Sequence, residues 1–179
     1  MSTPRTTPCR VPIARAERGR TPLLRAVTKD KFAVARLLVY LGADPDALDD
    51  QYDTPWLVTG VTGSVDMVEV LLPTEPDLTI RNRFGGTSLI PASERGHVAY
   101  VRRAVRTDID VNHVNNLGWT ALLEAVILGD GSKRYQQIVT ILLDAGADAR
   151  SPTGKALLRC NMPSGRASAR WRGYCGTPS

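Results

Sequence analysis

Four threonines, Thr21, Thr54, Thr87 and Thr120, recur at an unbroken spacing of 33 residues, and their neighbours recur with them. The copies read Gly19-Arg20-Thr21-Pro22-Leu23-Leu24-Arg25-Ala26, Asp53-Thr54-Pro55-Trp56-Leu57, Gly85-Gly86-Thr87-Ser88-Leu89-Ile90-Pro91-Ala92 and Gly118-Trp119-Thr120-Ala121-Leu122-Leu123-Glu124-Ala125. A fixed period of this length specifies a solenoid of stacked units and excludes most other architectures. Each unit is too short to bury its apolar face alone. Stability is then close to a sum over neighbouring interfaces.

Within a unit the residue types dictate two helices. A threonine hydroxyl can accept from an orphan backbone N–H, and a following proline already has the φ of a first turn. Ala26, Ala92 and Ala125 are small enough for neighbouring helices to approach closely. Leu37 and Leu38, Val70 to Leu72, and Ile141 to Leu143 give the second helices an apolar stripe. Gly63, Gly96 and Gly129 fall where the two helices must turn, and Gly42 and Gly146 where the pair must end. The pattern predicts helices over 22–29 and 33–41, 55–61 and 65–72, 88–95 and 98–106, and 121–128 and 134–145. Pro73 and Pro76 should cut the second helix of the second unit short, making that unit the soft one. Asp130-Gly131-Ser132-Lys133-Arg134 is a five-residue insertion in the fourth unit, read as a loop.

The threonine motif, together with Leu41-Gly42-Ala43-Asp44 and Ala145-Gly146-Ala147-Asp148, resembles the ankyrin repeat family over residues 15 to 150. The run from Gly118 to Ala125, followed by Gly129-Asp130-Gly131, is similar to bacterial members. The resemblance implies an all-α repeat solenoid of paired antiparallel helices with β-hairpin tips, its four repeats at 19–51, 52–84, 85–117 and 118–150. There are departures. The family's helix-opening histidine is Leu24, Leu57, Ile90 or Leu123 here, and its closing glycine is replaced by Glu75 and Asp108.

Charge is divided along the chain. Residues 1–20 hold five arginines and one acid, and residues 151–179 hold five basic residues and no acid. The repeat body, 21–150, holds thirteen basic and seventeen acidic side chains, a net of −4. A basic surface for nucleic acid belongs on the folded body, so the overall charge of +5 is poor evidence for one. No apolar run reaches the length of a membrane span. Cys9, Cys160 and Cys175 are scattered outside the repeats and form neither a disulfide framework nor a metal site, which favours a reducing, cytoplasmic setting.

Residues 1–14 are rich in Thr, Pro and Arg and are expected to be disordered. Residues 151–179 carry no repeat and are also expected to be disordered. Codons permitted for Pro152 onward, read one base out of frame, give Asp-Arg-Glu-Gly-Val-Thr-Pro-Leu-Gln-His-Ala. That is a further repeat opening in register, so the tail is read as a frameshifted fifth repeat. Its loss should leave Ala125, Leu128, Ile138 and Leu142 partly uncovered.

No catalytic constellation emerges. His97 and His113 are the only histidines, and His97 follows an inter-helix glycine where a structural hydrogen bond suffices. Asp49, Asp50, Asp108 and Asp110 are turn residues rather than an acid–base pair, and Gly154-Lys155 lacks the rest of a phosphate loop. The sequence implies no enzyme, no cofactor and no metal.

In the ankyrin family the tips and first helices line a concave face where partners bind. By that registration the candidate contacts are Gln51, Asp53, Arg81, Arg83, Phe84, Glu94, Arg95, Asn116 and Trp119. Tyr, Trp and Arg commonly anchor interfaces. The expected function is a non-catalytic module that binds another protein. The alternative is a binder of nucleic acid or another anionic surface through the basic tail, where Arg166, Arg170, Trp171, Arg172 and Tyr174 alternate charge with aromatic rings.

Overall fold

The computed structural model describes residues 17–150, so the expectations for residues 1–14 and for the tail after Arg150 lie outside it. Eight helices follow in pairs: α1 Pro22–Thr28 and α2 Phe32–Tyr40, α3 Pro55–Thr62 and α4 Val65–Leu71, α5 Leu89–Glu94 and α6 Val98–Ala104, α7 Ala121–Ile127 and α8 Lys133–Asp144. The odd-numbered helices pack in a row, α1 on α3, α3 on α5, α5 on α7. The even-numbered helices form a second row, α2 on α4, α4 on α6, α6 on α8. The fold is an ankyrin-type helical solenoid.

The helix starts follow from the threonines, with one exception. Thr21, Thr54 and Thr120 each accept from the backbone N–H three residues on, at 3.2, 3.1 and 3.2 Å. In the same repeats each Thr carbonyl accepts from the residue four on: Arg25, Val58 and Glu124. In the third repeat that fourth residue is Pro91, which has no N–H. The Thr87 carbonyl takes Ile90 N instead, at 3.3 Å, and Thr87 Oγ1 is buried with no partner. The threonine cap expected there is absent, and α5 is the shortest helix described.

Three further expectations need correction. Among the described residues the tips form no β-strand; each is closed by a turn, with Asp49 N, Asn82 N and Asn115 N donating to the carbonyls of Asp53, Gly86 and Trp119. The insertion is only half a loop, because Lys133 and Arg134 already belong to α8, and the left-handed turn falls at Gly131 (φ 75°) rather than Gly129. In repeat four, Ala125, Ile138 and Leu142 are fully buried, leaving Leu128 as the exposed member of that group.

The truncation in repeat two is present. α4 ends at Leu71 and runs into a 3₁₀ turn, Leu72–Thr74, closed by Glu75 at φ 52° in place of a glycine. The unit is nevertheless well covered, since Trp56, Leu57, Met67, Val68 and Leu71 are all buried. Tyr100 from repeat three reaches across to it. Thr59 Oγ1 donates to Trp56 O at 2.6 Å, so the fully buried Tyr100 hydroxyl is the donor to Thr59 at 2.8 Å.

Candidate functional site: the tip row and inner groove

Three of the tips are each built around one side-chain oxygen. Asp49 Oδ1 accepts from Gln51 N and Asp53 N, Asn82 Oδ1 from Phe84 N and Gly86 N, and Asn115 Oδ1 from Leu117 N and Trp119 N, all at 2.8–3.0 Å. The identical bonding at residues 49, 82 and 115 locks three tips into one conformation. It therefore presents residues 51, 84 and 117 at equivalent places. The apex residue is left-handed in every tip: Gly19, Tyr52, Gly85 and Gly118.

Neighbouring tips are bonded to one another. Asp50 N donates to Arg18 O at 3.1 Å, and Asn116 N to Phe84 O at 2.9 Å. His113 Nε2 meets Gly85 O at 2.6 Å, while His97 Nε2 meets Val61 O at 3.2 Å. Both histidines therefore bond to main chain, as a structural role requires.

The sequence-derived candidates fall into two groups. Gln51, Asp53, Arg83, Phe84 and Asn116 come together along the tips. Arg83 donates to Gln51, and its guanidinium lies 4.6 Å from the centre of the exposed Phe84 ring. Burial, then repulsion from Asp49, raises the Asp53 carboxyl above its usual range, and Arg83 and Arg20 oppose this. Trp119 is half-buried beside Thr120, and Arg81 is exposed. Glu94 and Arg95 lie apart from the tips, exposed at the end of α5. There the Glu94 carbonyl accepts from Tyr135 Oη at 2.8 Å.

Sequence reasoning missed four apolar members of the tip surface. Tyr52 is 61% exposed and Leu117 70%, and Leu48 and Val114 are also exposed. The signal was available: Leu117 stands 33 residues after Phe84, and Val114 33 after Arg81. The surface is thus an apolar strip crossed by Arg81 and Arg83.

Below the tips, equivalent positions on the inner helices change charge along the solenoid. Arg25, Val58, Pro91 and Glu124 occupy one register position in successive repeats. Glu124 is 6% exposed, and burial, aided by repulsion from Glu94, pushes its carboxyl up to about 7. At this register position the groove is cationic at repeat one and carries a carboxyl group at repeat four. Among the described residues no group of His, Cys, Asp and Glu is arranged to hold a metal ion, and no helix is long and apolar enough to cross a membrane.

Comparison with known proteins agrees with this architecture. The family description "Ankyrin repeats (3 copies)" matches residues 56–153, and "Ankyrin repeat" matches residues 18–50. The ankyrin repeat protein YahD of Escherichia coli K12 is 38% identical over 130 residues, covering 72% of this chain and 65% of YahD. Human ankyrin repeat and SOCS box protein 16 is 30% identical over 139 residues, 74% of this chain but 30% of that protein. The chain thus spans less than two thirds of either relative. The crystal structure of an ankyrin repeat domain from Acinetobacter baumannii AYE superimposes with a TM-score of 0.74 at 48% identity, covering 78% of this chain and 72% of that one. With the 33-residue register, the paired helices and these matches in hand, the chain belongs to the ankyrin repeat family.

Proposed function

We infer that the chain is a non-catalytic binding module that grips another protein along its tip row and inner groove. The observation that carries this reading is the exposed strip formed by Tyr52, Phe84, Val114 and Leu117 on tips whose backbones are fixed by side-chain bonds. Exposed apolar side chains on a rigid, preorganised backbone lose little entropy on binding. Large aromatic groups flanked by arginines make the type of anchor that dominates interface energies. Arg81, Arg83, Gln51, Asp53 and Asn116 supply polar contacts around that strip, and Trp119 and Glu94 with Arg95 extend it toward the inner helices. The few, scattered cysteines support a cytoplasmic setting.

The test is capture of a partner by the purified chain and by a Phe84→Ala/Trp119→Ala variant. Helicity and melting temperature are recorded for both. Loss of a specific captured protein, with folding unchanged, is the expected result. Undiminished capture by the folded variant would move the site elsewhere.

A further inference from the structure

Repeat one carries a cleft formed by its tip and α1. Its volume is about 250 Å³, and it is lined by Arg18, Arg20, Arg25, Thr28 and Lys29. Four of its five described lining residues are cations. The solenoid does not require them: the positions of Arg18 are Gln51, Phe84 and Leu117 in later repeats, and those of Arg20 are Asp53, Gly86 and Trp119. The positions of Arg25 become Val58, Pro91 and Glu124, and those of Lys29 become Thr62, Arg95 and Leu128. Only repeat one places a cation at all four.

Among the described residues the charges are only partly compensated. Arg20 pairs with Asp49 at 3.3 Å, whereas no ion pair among the described residues joins Arg18, Arg25 or Lys29. The acids at the margin are Asp49, already engaged, Asp53, whose carboxylate interacts with Arg20, Asp50 against Gly19, and, by sequence, Glu17 next to Arg18 and Asp30 next to Lys29. The Thr28 hydroxyl donates to Leu24 O at 2.7 Å, so the free donors of the cleft are the guanidinium and ammonium groups. Such donors pair with two-oxygen and three-oxygen anions, and arginine does so through parallel bonds. The volume lies below the roughly 300–1,000 Å³ of drug-sized ligand sites but suits one anionic side chain.

We propose that this cleft is an anion subsite that receives an acidic or phosphorylated side chain of the protein partner. The assignment rests on the reading of the concave surface as the partner site, and it gives that partner a direction. Its anionic end lies at repeat one, and the segment then runs along the tips toward Trp119.

The test uses three labelled peptides of one sequence, carrying glutamate, phosphoserine or glutamine and serine at the same positions, with inorganic phosphate as competitor. Fluorescence anisotropy is read for the native chain, for Arg25→Glu/Lys29→Glu and for the milder Arg25→Gln/Lys29→Gln. Both pairs of substitutions are on the exposed face of α1 and its cap, and circular dichroism checks that the fold is kept. The expected result is preference for an anionic peptide over the neutral one, weakened about 10-fold or more by charge reversal and by high salt. Whichever of the glutamate and phosphoserine peptides binds more tightly identifies the anion. Equal binding of the neutral peptide, equal binding by the charge-reversed chain, or no binding of phosphate or either anionic peptide up to about 10 mM would overturn the proposal. Partner capture that depends on Phe84 and Trp119 but not on Arg25 and Lys29 would sink the subsite and spare the concave surface. Phosphate binding at the cleft with capture indifferent to Phe84 and Trp119 would do the reverse.

Discussion

The outer helix of repeat one and those of the later repeats have similar apolar patterns and opposite fates. Val34 is 50% exposed, while its equivalents Met67, Tyr100 and, beyond the insertion, Ile138 are all at 0%. Leu37 is 57% exposed and its equivalent Val70 only 8%. α2 packs on α1 and α4, but its other flank, with Phe32, Val34, Leu37, Tyr40 and Leu41, is open among the described residues. α4, α6 and α8 each have a preceding outer helix to cover that flank. Burial in a solenoid is therefore decided by whether a neighbour is present, not by the hydrophobicity of the helix.

The largest expected effect comes from the tight packing inside the stack. A Cβ on Gly60 would lie 1.9 Å from Ser88 O in the next repeat, a contact that only movement of the backbone can relieve. Gly60→Ala should cost about 3 kcal/mol in chemical denaturation, at the upper end for overpacking. Next, the same truncation should be felt unequally at equivalent places. Ile138→Ala should cost about 3 kcal/mol and Val34→Ala well under about 1, because only the buried site leaves a cavity. Equal costs would erase the contrast between covered and open flanks.

A smaller effect is read by pH. Glu124 has a folded pKa of about 7 against an ordinary 4.5, so the folded state holds its proton where the unfolded chain has lost it. Its contribution to stability is full below about pH 4.5 and declines as pH rises to about 7. Glu124→Gln should leave stability near pH 4 unchanged and raise it by about 2 kcal/mol at pH 8. Thermal melts across that range check the sign. The smallest effect is at the tips. Tyr52 is the one non-glycine residue at an apex position, at φ 60°, where the other three tips have glycine. Tyr52→Gly should stabilise the fold by about 1 kcal/mol and weaken partner binding, which would mark the strained tyrosine as retained for contact.

The architecture was legible in the sequence because periodicity is a property of the chain itself. Thr21, Thr54 and Thr120 behaved as caps for the reason their hydroxyls suggest. Thr87 did not, and the cause, Pro91 removing an N–H four residues on, was visible but was not followed to its consequence. The insertion was legible as five extra residues, while its division between a short loop and an extra half-turn of α8 depended on packing against α6. At the site, Phe84, Arg83 and Gln51 were found by registration and do meet. Tyr52 and Leu117 were passed over because family position, rather than exposure, guided the choice. The cationic cleft escaped notice although its residues lie within twelve positions, because the charge tally divides the chain between Arg20 and Thr21 and so splits Arg18 and Arg20 from Arg25 and Lys29.

Two exposed apolar surfaces therefore compete as contact sites: the open flank of α2 and the tip row. Site-specific photo-crosslinking tells them apart directly. A photoreactive phenylalanine analogue is placed at Phe84 or Leu117 on the tips, at Leu37 on the open flank, or at Glu69, which is half exposed on outer helix α4. The account predicts that positions 84 and 117 trap the same discrete protein, with little product from 37 or 69. Crosslinking from Leu37 alone, with the tips silent, would contradict it and make the open flank of α2 the surface that meets the partner.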